Sequence, residues 1–147
     1  MSVVGSLDAI AYKAQENMSG LKRCYAVGVT NVRPIPRSID DGPVGTVWVG
    51  SGEMNGGNAE HVVMSVTLDI WTLSGTNPGL ANKALAQFID RARTAFRADM
   101  NLGGEATRCE MVGWEQPEPV EEAGKQYLVL PIKLEVLITR YGADATA

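Results

Sequence analysis

The sequence has one histidine, two cysteines and no long apolar run, and each shortage removes a class of function. With His61 as the sole imidazole, a multi-histidine zinc site or an H-E-x-x-H metalloprotease helix has no ligands to draw on. The cysteines, Cys24 and Cys109, are far apart and show no C-x-x-C spacing. We read them as two small buried thiols of a cytosolic chain rather than as a disulfide. Near Met1 there is neither a basic stretch nor an apolar run, so neither a signal peptide nor a membrane span is expected. The sequon Asn17-Met18-Ser19 is then a chance match. Positive charge is also in short supply: 13 Lys and Arg stand against 17 Asp and Glu, a formal net charge of −4. Gripping nucleic acid requires clustered cations on the phosphates, so this balance suits a protein that DNA passes without being held.

What is present fits one globular domain over residues 1–147. Hydrophobic residues make up 45% of the 147 and charged residues 20%, enough apolar material for a core. Ser6 is placed to cap a first helix with Leu7, Ile10, Ala11, Ala14 and Met18 at helical spacing, and Ser19-Gly20 stops it. Residues 25–32 alternate as a strand, with Tyr25, Val27 and Val29 on one side. Pro34, Pro36, Asp40, Asp41, Gly42 and Pro43 make 33–45 a long loop. A short strand over 46–49 follows, and the glycine-rich text predicts a second flexible loop at 50–60.

Residues 60–74 read as a strand whose Val62, Met64, Val66, Leu68 and Ile70 face inward. Asn77-Pro78 opens a second helix with Leu85, Phe88, Ile89, Ala92 and Phe96 on one stripe, closed by Gly103-Gly104. A strand over 108–114, an acidic loop or hairpin tip over 115–124 and a long strand over 125–141 complete the chain. Leu128, Leu130, Ile132, Leu134, Val136 and Ile138 alternate along that last strand, and Pro131 among them predicts a sheet edge or a bulge. Residues 142–147 read as a short flexible tail. The order is α-β-β-β-α-β-β. The expected fold is α+β, a mostly antiparallel sheet with two helices packed on one face.

No catalytic constellation assembles from these residues, and neither cofactor nor metal is expected. His61 reads as a surface residue at a strand end. The run from Gly50 to Gly57 lacks the G-K-[ST] ending of a phosphate loop and leads into a strand, so it reads as a mobile loop. Asp40 and Asp41 have no third oxygen ligand nearby and read as a turn. The acidic run of Glu115, Glu118, Glu121 and Glu122 is either a solvated loop or a contact for a basic neighbouring subunit. Trp48, Trp71 and Trp114 either cap the core or mark an interface, since aromatic residues on an outer sheet face are what protein contacts use. Together with Glu53, Met54, Asn58 and Glu60 of the second loop, and with Asp40, Asp41 and Glu118, they form the candidate interface.

Several stretches resemble a known family in the expected order. Trp48-Val49-Gly50-Ser51-Gly52-Glu53, Gly57-Asn58-Ala59-Glu60 and Leu68-Asp69-Ile70-Trp71 look like the first half of actinobacteriophage tail terminator proteins. Ala86-Gln87-Phe88-Ile89-Asp90-Arg91 through Arg97 is similar to that family's long helix, and Leu102-Gly103-Gly104, Gly113-Trp114 and Tyr127-Leu128-Val129-Leu130-Pro131-Ile132 follow. The resemblance covers nearly the whole chain and rests on layout more than on any one motif. It implies a non-enzymatic virion protein of the tail and neck, assembled in the host cytoplasm. Such a protein forms a ring, hexameric in this class, on the last ring of the tail tube. It stops tube growth and presents a surface to the head-side connector or stopper. DNA only passes through the lumen. A head-completion or stopper protein is the nearest alternative, the tail-tube protein itself another, and a small ligand-binding or enzymatic α+β domain the most distant.

Overall fold

The computed structural model describes residues 1–37, 42–56, 59–75 and 78–141. Along the chain run α1 (Val3–Asn17), β1 (Arg23–Val29), β2 (Val44–Asn55), β3 (Ala59–Leu73), α2 (Pro78–Ala98), a 3-10 turn (Leu102–Gly104), β4 (Arg108–Trp114), β5 (Glu118–Glu122) and β6 (Lys125–Tyr141). The strands form one sheet in the order β1-β2-β3-β6-β4, with β5 continuing alongside β6 beyond the end of β4. Only β1 and β2 pair in parallel; every other pair is antiparallel. The fold is the expected α+β, with β5 added between the strands read at 108–114 and 125–141.

Both helices lie on one face of this sheet. Leu7, Ile10 and Ala14 of α1 and Leu85, Phe88 and Phe96 of α2 meet Val66, Leu68 and Ile70 of β3 and the alternating row Leu128 to Ile138 of β6 in one buried cluster. Period-two alternation puts every other strand residue on this face, so the row read from the sequence is the row that is buried. Cys24 and Cys109 are free thiols within this core, and burial pushes both up to about 12. Among the described residues, no helix is long and apolar enough to cross a membrane.

Four local expectations need correction. First, α1 starts one turn before Ser6: Ser2 Oγ accepts from the Gly5 N–H at 2.9 Å, while Ser6 is buried and its hydroxyl donates to the Val3 carbonyl at 2.8 Å. Second, residues 50–55 are strand rather than loop. Ser51 to Asn55 pair residue by residue with Ser65 to His61 after a bulge that follows Val49. Pairing with an established strand overrides the weak strand preference of glycine-rich text. Gly52 suits the position because a Cβ there would sit 2.9 Å from the Val63 carbonyl oxygen.

Third, β6 is central rather than an edge. Pro131 is tolerated because its carbonyl, which accepts from the Glu115 N–H at 2.9 Å, points away from β3. The missing N–H points the same way, into the gap where β4 has ended at Trp114 and β5 has not yet begun at Glu118. Fourth, β1 ends at Val29 rather than at residue 32. In the acidic stretch, β5 and β6 join through Ala123 and Gly124, at φ 52° and 79°. Positive φ at both central residues is what a tight type I′ hairpin demands.

Candidate functional site

Among the described residues, no helix lies over the second face of the sheet. What crosses it is the connection from β1 to β2, because two adjacent parallel strands require the chain to travel back along the sheet. Arg33 in this crossover reaches down to Asp69 of β3, donating from Nε to Oδ2 at 3.1 Å, and sideways to the Glu118 carboxylate at the start of β5. Trp48 of β2 donates its indole N–H to the same Asp69 oxygen at 2.8 Å. One guanidinium therefore ties the crossover to two strands, β3 and β5.

Asp69 is fully buried, and burial raises its pKa despite the opposing hydrogen bond from Trp48 and the nearby Arg33 charge. Burial also works against the Arg33 charge, but Glu118 and Asp69 outweigh it and hold the guanidinium above its ordinary value. Asp69 Oδ1 and the hydroxyl of Thr46, its direct neighbour across β2 and β3, are buried without a hydrogen-bond partner among the described residues. One row further along, Lys133 Nζ donates to Thr67 Oγ1 at 3.0 Å and lies 3.4 Å from Glu115. The network ties Arg33 of the crossover to β3 and β5.

The candidate interface residues separate into distinct environments. Trp71 is wholly buried on this second face, edge-to-face with Tyr127 at 6.2 Å and packed with Val44 and Val129. It is therefore not a surface contact: Val120 of β5, beside β6 in the same sheet, packs against this cluster. Trp48 is half-buried and committed to Asp69, and Glu118 is committed to Arg33. Trp114 is 56% exposed at the end of β4. Glu53 and Met54 are exposed on the far end of β2, Met54 at 65%, and Glu60 is half-buried on β3 opposite that strand. His61, on the same arm, is half-buried with its Nδ1 3.3 Å from the Thr139 hydroxyl. Asp40, Asp41 and Asn58 lie outside the described residues.

The structure adds a surface that the sequence reading did not single out. Between β1 and the crossover runs a groove of about 600 Å³, lined by Arg23, Tyr25, Val27, Pro34, Ile35 and Arg37. Tyr25, Val27 and Ile35 are 37%, 44% and 49% exposed. The signal was present in the alternation of Tyr25 and Val27, but sequence does not say which side of an edge strand stays uncovered. At the opposite edge, β4 exposes Val112 and Trp114 beside a smaller groove that also holds Arg93, Arg97 and Glu110.

The chain matches no protein-family model, and no curated protein matches it.

Proposed function

We propose that this chain is a tail terminator of a long-tailed bacteriophage, a non-enzymatic virion subunit that forms a ring on the end of the tail tube. The observation that carries the reading is apolar surface left uncovered at both edges of one sheet. Tyr25, Val27 and Ile35 lie at the β1 edge, and Val112 and Trp114 at the β4 edge. A ring is built from one heterologous contact repeated around an axis, so each subunit needs two different sticky edges rather than one self-complementary patch. Exposed aromatic and aliphatic side chains grouped in this way are what protein interfaces use. The whole-chain resemblance in motif order selects the tail terminator among ring-forming proteins. The acidic balance suits a lumen along which DNA slides.

Capping leaves a countable signature. Preformed tubes of the cognate tail-tube protein, pelleted with increasing amounts of this chain, are expected to take up a fixed number of copies per tube end whatever the tube length. Uptake in proportion to tube length, or none, overturns the reading. A chain that instead binds purified head connectors and ignores tubes is a head-completion protein.

A further inference from the structure

We propose that copies of this chain join edge to edge, β4 of one copy pairing antiparallel with β1 of the next, so that the sheet runs on from copy to copy. This rests on the ring reading and names the contact that repeats around the ring. β1 and β4 are the outer strands of the sheet, and among the described residues no strand pairs with either on its far side. They are built alike. Each has seven residues, and Arg23-Cys24 and Val27-Gly28 hold the places in β1 that Arg108-Cys109 and Val112-Gly113 hold in β4. Each register shifts at the same point, between Ala26 and Gly28 and between Met111 and Gly113. At the head of each strand the cysteine N–H goes to the helical segment before it rather than to a strand. Cys24 donates to Gln15 Oε1 of α1 at 3.1 Å, and Cys109 to the Met100 carbonyl just past α2 at 2.5 Å. The stretches left open are Ala26 to Val29 and Met111 to Trp114.

A sheet edge that stays in water is normally guarded by lysine, another charge or proline. Neither stretch carries one, and Val27, Val29, Val112 and Trp114 are all exposed. A Cβ at Gly113 would meet nothing, and its φ is not left-handed, so the fold itself does not require that glycine. Glycine inside a strand leaves room for another backbone to approach. Charge does not draw the edges together. Arg23 is already engaged, Arg108 lies 3.7 Å from Glu110, and the grooves beside the two strands both hold arginine: Arg37 at β1, Arg93 and Arg97 at β4. Strand direction selects the pairing instead. β1 is parallel to β2, and the steps to β3, β6 and β4 each reverse direction, so β4 runs opposite to β1. Copies set side by side in one orientation therefore bring β4 against the neighbour's β1 as an antiparallel pair, joined by backbone hydrogen bonds and apolar side chains. The two edges lie on opposite sides of each copy, so the contact propagates.

Blocking one edge at a time tests this on the full chain, by sedimentation velocity across a concentration series, with thermal melts checking that each variant is folded. The wild-type chain self-associates, and added salt leaves the association in place. Val27→Lys guards the β1 edge and Val112→Lys the β4 edge, as lysine does on open edges. Each variant alone loses association by at least about tenfold, because every β4–β1 contact then meets a blocked edge. Mixed one to one, they form a dimer and stop, the intact β4 of the Val27→Lys chain pairing with the intact β1 of the Val112→Lys chain. A wild-type chain that stays monomeric up to about 1 mM overturns the proposal, as does one that salt dissociates. So do variants that associate like the wild type, a single variant that dimerises alone by pairing like edges, or a mixture that stays monomeric. No tube protein is involved: a chain that caps tubes but ignores these substitutions refutes the edge contact alone, and one that obeys them but leaves tubes growing refutes the terminator reading alone.

Discussion

On the helix-covered face, Leu68, Leu130 and Val136 meet α1 and α2 in a dry core, while on the opposite face the same strands carry Thr67, Asp69 and Lys133 beneath a single crossing loop. The first face is generic: many apolar sets of the right volume would fill it. The second is particular, since one arginine, one indole and one buried carboxylate fix where the crossover lies. That crossover forms one wall of the groove at the β1 edge. Stability is thus concentrated on one face and the shape of the contact surface on the other.

Substitutions on the two faces should therefore differ in size and in kind. Leu68→Ala opens a cavity in the covered core and is expected to lower stability by about 3 kcal/mol in urea denaturation. Arg33→Ala leaves the buried Asp69 carboxylate with Trp48 alone and is expected to cost about 2 kcal/mol near neutral pH. Its cost should depend on pH. Because the Asp69 pKa is raised, the folded chain takes a proton there more readily than the unfolded chain, so the charge penalty is present at neutral pH and is relieved as pH falls through the raised value. The deficit of Arg33→Ala should accordingly shrink as the solution is made acidic from neutral. A deficit that stays constant throughout the acid range in which the chain remains folded would mean that Asp69 is not the group left exposed to the penalty.

Smaller effects sharpen the contrast. Ala123 holds a positive φ of 52° that glycine adopts without strain. Ala123→Gly is therefore expected to raise stability by about 1 kcal/mol, read as a higher melting temperature. Val27→Ser, at the floor of the exposed groove, should change stability by less than about 0.5 kcal/mol in the isolated chain while weakening self-association. A large loss of stability from Val27→Ser would place that side chain in the fold rather than at a contact.

How far the sequence could be read differs between the same two faces. The row from Leu128 to Ile138 was legible because alternation and burial coincide along six residues. The far end of β2 was not, since Gly50, Gly52 and Gly56 signal a loop and only the pairing with β3 makes a strand there. Pro131 pointed to an edge because a proline cannot donate, and only the handover between β4 and β5 shows why the donor is not needed. Trp71 read as either a core cap or an interface residue, and its burial with Val44, Tyr127 and Val129 makes it the former; sequence periodicity does not record what packs against a face. Asp69 sits within one of the stretches that carry the family resemblance, yet its charge network depends on Arg33, 36 positions away.

The most direct test of the central claim is electron microscopy of tubes growing from the cognate tail-tube protein with and without this chain. The account predicts short tubes of uniform length, each closed at one end by a ring-shaped cap. Tubes of unchanged length with bare ends would contradict it.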